Sequence, residues 1–293
     1  MPDEFHDSTA ISAARDLAQE IVLGHPLLMS SQADLGVVLA GSRAVGYQSL
    51  SSDYDFLVIC ETEVFDRIAK RAGKASDAKG VDIPVDREAL KREAGAAVDI
   101  AVYDIGRLSR AFSEYRDVVL WIWMNAKSLF DPAGRIAALQ DSFKGYPREV
   151  LERKLKRHFL RDFHLSVHGL TYVPESDNVF SIVYGISAKV AEFCKLCCLL
   201  DGKPFPYEKW LLRACRDTTT GQKLYPFLER SIDSLTRLHG GLANSAGLLT
   251  KTVRALDTEA CDILESALVE WGIDRSWIKD AYGCLEDVLF EEA

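Results

Sequence analysis

Two carboxylates one residue apart, Asp53 and Asp55, open an apolar run, Phe56-Leu57-Val58-Ile59. Side chains alternate along a strand, so both would point to one face, roughly 7 Å apart at Cα. Like charges this close repel, and a structural role rarely needs them, whereas a divalent cation does. Mg²⁺ takes hard oxygen ligands, commonly one or two carboxylates completed by substrate phosphates. Upstream, a second apolar run, Val37-Val38-Leu39-Ala40, stops at Gly41-Ser42. Gly41 lets backbone approach a ligand closely, and Ser42 offers a hydroxyl beside exposed N–H groups, a cradle suited to phosphate. The blander reading is that Asp53 and Asp55 end a turn after Ser49-Leu50-Ser51-Ser52.

Apolar strand, Gly41-Ser42, a short spacer, then Asp53-Tyr54-Asp55 resembles the signature of the DNA-polymerase-β-like nucleotidyltransferase superfamily. The resemblance predicts a third carboxylate on a later strand, and Ala97-Val98-Asp99-Ile100-Ala101-Val102 supplies Asp99 in such a setting. It implies transfer of a nucleoside monophosphate, AMP by expectation, from ATP or another NTP to an acceptor hydroxyl, with pyrophosphate leaving. Two Mg²⁺ ions would offset charge on the entering and leaving oxygens. On that reading Asp53 and Asp55 hold both ions, and Asp99 completes the one shared with the acceptor. Gly41, Ser42 and Arg43 would sit beside the β- and γ-phosphates. Arg43 reads almost equally well as a solvated surface residue.

The elements that must position these residues follow from periodicity. Helices are expected over Ser8–Leu23, Glu61–Ala72 and Arg87–Ala94, with a short strand at Val81-Asp82-Ile83 before the Asp99 strand. Strands interleaved with helices make an α/β head over residues 1–130. From Ile105 onward β-like alternation largely disappears, and residues 131–293 read as an all-α bundle: Ala133–Phe143, Arg148–Leu170, Val179–Leu200, Tyr207–Arg216, Pro226–Leu238, Thr258–Trp271 and Arg275–Leu289. Pro226 is placed in a permitted first turn. Gly145-Tyr146-Pro147 is the clearest linker, and His239 to Gly247 reads as a loop. The fold class is therefore α+β, a small mixed-sheet head followed by a helical bundle. That arrangement is similar to the antibiotic and small-molecule nucleotidyltransferases of the superfamily. It implies that the bundle binds a hydroxyl-bearing small molecule of aminoglycoside or lincosamide type. Toxin-type relatives, which modify a protein side chain or an RNA end, and inactive nucleotide-binding relatives are the alternatives.

Composition narrows the partners. The chain has 293 residues, 48% hydrophobic and 27% charged, with a formal net charge of −9. An acidic chain argues against sequence-independent nucleic-acid binding, which depends on Lys and Arg neutralising phosphates. No apolar run approaches the ~20 residues of a membrane helix. The acidic start, Met1-Pro2-Asp3-Glu4, lacks the form of a signal peptide, so a cytoplasmic location is expected. Nothing in the sequence fixes an oligomeric state. Cys194 and Cys197 match a C-x-x-C spacing, but no second pair lies nearby, and the seven cysteines read as small core hydrophobes rather than zinc ligands.

Two residues of the bundle stand out. The resemblance implies a Lys reaching the triphosphate from the helical half, and Lys209, in Pro206-Tyr207-Glu208-Lys209-Trp210, fits; surface solvation is an even alternative. On a helical wheel Asp162 falls within the stripe of Leu151, Leu155, Phe159, Phe163 and Val167. A carboxylate there either faces a cleft, as a general base, or pairs with a Lys or Arg across the bundle. His164 and His168 lie off the stripe and read as surface residues.

Overall fold

The computed structural model describes residues 4–49, 51–75, 79–165, 179–236 and 251–280. The chain is α+β and divides into two compact units, Met1–Lys144 and Gly145–Ala293. The first unit is built on a mixed five-stranded sheet of order β3-β4-β2-β1-β5. Its strands are β1 (Gly36–Ala40), β2 (Tyr54–Cys60), β3 (Val81–Asp82), β4 (Val98–Asp104) and β5 (Lys127–Phe130). Strands β2 and β4 run parallel, and the other pairs are antiparallel.

Every residue of β1 is buried, as expected of a central strand covered on both faces. On β2 and β4 the alternation divides the work. Phe56, Val58 and Cys60, with Val98, Ile100 and Val102, point into a core completed by Ala14, Val22, Phe65 and Ile68. Those last four come from α1 (Glu4–Leu17), the π-helical turn Ala18–Val22 that extends it, and α3 (Thr62–Arg71). The opposite face carries Asp55 and Leu57 on β2 and Asp99, Ala101 and Tyr103 on β4, all half-buried. Further along that face Gly36 lies under α7 (Arg135–Ser142), where a Cβ would come within 3.0 Å of Ile136. Trp123 of α6 (Asp117–Asn125) meets the Tyr103 ring edge-on at 6.1 Å.

The helix α4 (Arg87–Ala94) and strand β3 lie where the sequence places them. Strand β5 does not follow the expectation that β structure ends near Ile105. Four residues, two of them Lys127 and Ser128, are too few for a periodic signal, and their place is set by pairing with β1. The first unit also extends beyond residue 130. Asp131 caps α7 by accepting from the amides of Arg135, Ile136 and Ala137, and Arg135 pairs with Glu61 at 2.9 Å.

The second unit is helical. Helix α8 (Arg148–Leu165) packs along α9 (Val179–Leu200), which also touches α10 (Glu208–Arg216), α11 (Thr219–Thr236) and α12 (Cys261–Trp271). A π-helical turn, Leu256–Ala260, leads into α12, and a short α13 (Arg275–Lys279) follows. Cys194, Cys197 and Cys198 of α9 and Cys215 of α10 are all buried. Helix α11 begins a full two turns before Pro226, which is therefore interior and not in the first turn. Thr218 starts it: its hydroxyl oxygen accepts from the Gly221 amide at 3.0 Å, and its carbonyl from Gln222. Pro226 is exposed, and its missing N–H leaves the Gln222 carbonyl without its i+4 donor. The expected loop from His239 to Gly247, the end of the Arg148–Leu170 helix, His168 and everything beyond Asp280 lie outside the described residues.

Candidate functional site

The parallel register sets Asp55 directly beside Asp99, and the antiparallel one sets it beside Ala40 at the end of β1. Asp53 stands in the turn just before β2. One carboxylate oxygen from each of Asp53, Asp55 and Asp99 lies within 4.8 Å of the other two, and all three residues are half-buried. Three hard oxygen donors this close suit a divalent cation of the Mg²⁺ kind.

Gly41 makes the convergence sterically possible. Its φ is +65°, and a Cβ at this position would fall 1.9 Å from Asp55 Oδ2. The Asp55 carboxylate thus rests against bare backbone at the turn between β1 and α2 (Gly41–Ala44). Ser42, next in line, is buried, and its carbonyl accepts from the Tyr47 amide at 2.8 Å.

Arg43 spans from α2 to the loop before β2. Its Nε donates to the carbonyls of Ser52 at 3.2 Å and Asp53 at 3.0 Å, and its Nη2 to Ser52 at 2.6 Å. The guanidinium also lies 4.0 Å from the Tyr54 ring centre. The side chain ties the Gly41-Ser42 turn to the loop that presents Asp53.

Three neighbours were not picked out by sequence reasoning. Arg87, first residue of α4, forms an ion pair with Asp99 Oδ1. A lone Arg at a helix start gives no signal of that contact. Tyr103 and Asp82 share the site's face, since Asp82 is paired with Ala101, two residues along from both Asp99 and Tyr103. The alternation of β4 would have exposed Tyr103. Burial first, then the Asp82 and Asp55 carboxylates, push the Tyr103 phenol above its ordinary value, so it stays a hydroxyl donor.

The remaining candidates belong to the second unit. Asp162 is 1% exposed and is gripped by Lys189, whose Nζ lies 2.9 Å from Oδ1 and donates to Oδ2 at 3.1 Å. Asp257, on the π-helical turn, meets the same ammonium at 3.2 Å. Burial pushes the Asp162 carboxyl up to about 6, against the pull of Lys189. Of the two sequence readings the ion pair is the one formed. Buried in that pair, Asp162 does not face a cleft among the described residues, as a general base would have to. One turn away, His158 Nδ1 and Glu192 Oε2 approach to 2.6 Å, continuing the polar seam between α8 and α9. Lys209 is exposed at the start of α10, its Nζ 4.7 Å from the Trp210 ring centre.

A family described only as a domain of unknown function, DUF4037, matches residues 113–211, less than half of the chain and none of the three carboxylates. No curated protein matches the sequence. Among solved structures, the chain is similar to a nucleotidyltransferase-like protein from Exiguobacterium sibiricum 255-15, at 12% identity and a TM-score of 0.40, over 96% of this chain and 91% of that one. A likeness that low does not define a class. No helix among the described residues is long and apolar enough to cross a membrane.

Proposed function

We propose that this chain is a nucleotidyltransferase that moves a nucleoside monophosphate, AMP being the expected one, from an NTP to the hydroxyl of a small molecule. The observation that carries the reading is the meeting of Asp53, Asp55 and Asp99 oxygens within 4.8 Å beside the Gly41-Ser42 turn. Asp53 and Asp55 would hold the divalent cations, and Asp99 would share the one on the acceptor side. When bound, two Mg²⁺ would supply positive charge to the entering and leaving oxygens of an in-line displacement. The chain's own residues do the rest. The Gly41-Ser42 turn presents N–H groups and a hydroxyl to the leaving pyrophosphate oxygens. Asp99 orients the acceptor hydroxyl and takes its proton. Arg43 keeps Asp53 in place. Aminoglycoside- and lincosamide-like molecules are the candidate acceptors by resemblance.

Pyrophosphate release from Mg-ATP, measured with and without a panel of hydroxyl acceptors, tests the reading. Asp53→Asn and Asp55→Asn should each abolish acceptor-dependent release. Each should also leave thermal stability unchanged or higher, because a like-charge repulsion is relieved. Wild-type turnover in either variant would sink the assignment.

A further inference from the structure

In an in-line displacement the entering and leaving oxygens lie on opposite sides of phosphorus. The sheet order sets a direction for both. Gly41-Ser42 follows β1, on one side of Asp55; β4 and β3 lie on the other. With pyrophosphate leaving at Gly41-Ser42, the acceptor must enter over β4 and β3. There the structure has an open cavity of about 760 Å³, entirely within the first unit. Its size suits a small molecule.

The lining says what kind. Leu57 and Ala101, adjacent on paired strands, give an apolar floor, and Tyr103 offers a ring and a hydroxyl. Asp82 is fixed by its pairing with Ala101, which turns its side chain to the same face as Asp99. It is exposed, and among the described residues it forms no ion pair. Two cations also line the cavity. Arg87 is already engaged by Asp99, and Lys74 is an exposed residue of the loop after α3. The strand-held charge that faces an entering molecule is therefore the Asp82 carboxylate, with Lys74 on the loop beside it.

We propose that this cavity is the acceptor subsite and Asp82 its specificity-determining residue. It takes an acceptor whose reacting hydroxyl lies at Asp99 and which carries a cationic amine at Asp82. The inference rests on the nucleotidyltransferase reading and adds the acceptor's chemistry to it. In the step itself the hydroxyl oxygen bonds to the α-phosphorus as the α–β bridging bond breaks. The electron pair of that bond leaves with pyrophosphate, and the hydroxyl proton passes to an Asp99 oxygen. Sheet spacing puts Asp82 and Asp99 roughly 8 Å apart at Cα, a span that an extended six-carbon amino alcohol matches.

That span defines the test. Full-length protein is loaded with Mn²⁺ and titrated with 4-amino-1-butanol, 6-amino-1-hexanol, 1,6-hexanediol and 6-hydroxyhexanoate. Paramagnetic relaxation of each probe's protons is read by NMR. The six-carbon amino alcohol should show the largest enhancement, about threefold above the diol, as expected of one exposed charge contact. Its CH₂–O protons should relax faster than its CH₂–N protons. Asp82→Asn should erase the preference over the diol, and Lys74→Ala should leave it. Equal binding of diol and amino alcohol overturns the proposal, as does an amine preference that survives Asp82→Asn. So does a preference for the hydroxy acid that Lys74→Ala removes, which would make the acceptor an anion. Water relaxation by Mn²⁺ serves as the control. If it is the same in wild type and Asp53→Asn, the nucleotidyltransferase reading falls and this one with it. Intact Mn²⁺ binding without amine preference removes this one alone.

Discussion

Gly41 is needed twice, once for its left-handed backbone and once for the space its missing side chain leaves to Asp55. A Cβ could be accommodated only by swinging the Asp55 carboxylate away, since Oδ2 would lie 1.9 Å from it. A non-glycine residue at φ +65° adds its own strain, and such positions cost on the order of 1–3 kcal/mol. Gly41→Ala should therefore lower unfolding free energy in denaturant by about that amount. It should also weaken Mn²⁺ binding, because the cluster loses the geometry of one of its three ligands. Asp55→Asn should weaken the cation without the stability loss, which separates the two roles. A Gly41→Ala protein with full stability and full Mn²⁺ affinity would mean that Asp55 has another resting place. The Gly-Ser and Asp-x-Asp pattern made these residues legible in the sequence. The steric dependence of one on the other was not, because it depends on how β1 and β2 pair.

Between residues and the whole molecule, two connections between elements decide the outcome. The first is the Arg43 fork, which binds α2 to the loop before β2. Lysine keeps the charge but cannot serve two carbonyls and stack on Tyr54 at once. Arg43→Lys should weaken Mn²⁺ binding about tenfold, in the range typical of residues that orient metal ligands. Unfolding should change little, and calorimetric titration beside a melt reads both. A melt shift as large as the affinity loss would make Arg43 merely structural. The second is the α8–α9 seam. Asp162's folded pKa, about 6, stands above its ordinary 3.8. The folded state thus holds this proton more tightly than the unfolded one. The stabilisation is complete below pH about 4 and is lost as pH rises through about 6. Asp162→Asn, which cannot ionise, leaves the buried Lys189 ammonium with Asp257 alone, a cost present at every pH; on top of it, the difference from wild type should move in the variant's favour as pH rises between those limits, by on the order of 1–3 kcal/mol. Denaturant midpoints at pH 4.5 and 7 check it, and a pH-independent difference would contradict it. Sequence periodicity found α8, α9 and the polar anomaly at Asp162, since the wheel position is local. It could not choose a partner, because Lys189 comes from another helix and Asp257 from a turn nearly a hundred residues on. Strand β5 and the start of α11 escaped for the same reason: pairing with β1 defines one, and the Asp201 carboxylate, accepting from the Thr219 amide, holds the other beside the local Thr218 cap.

For the molecule as a whole, the α+β division was readable because alternating and helical periods occupy different halves of the chain. The carboxylates come from the β1–β2 stretch and from β4, all within Met1–Lys144, while Asp162, Lys189 and Lys209 belong to Gly145–Ala293. Asp53, Asp55 and Asp99 offer a complete ligand face from one unit, so a divalent cation alone should act on that unit. Hydrogen exchange of the full chain with and without Mn²⁺ makes the consequence measurable. A ligand that binds only the folded site adds about 2.7 kcal/mol of protection at a hundred times its Kd, and this reaches amides that exchange by opening the site. Protection should rise in peptides covering residues 36–60 and 98–104, where the ligands and their supporting turn lie. It should be unchanged in α8 and α9, whose buried charges are already paired by Lys189 and by His158 with Glu192. Asp53→Asn should remove the effect from the first set. Protection that appears instead over α8 and α9, and that Asp162→Asn abolishes, would move the cation to the seam and leave the strand-end carboxylates without a role.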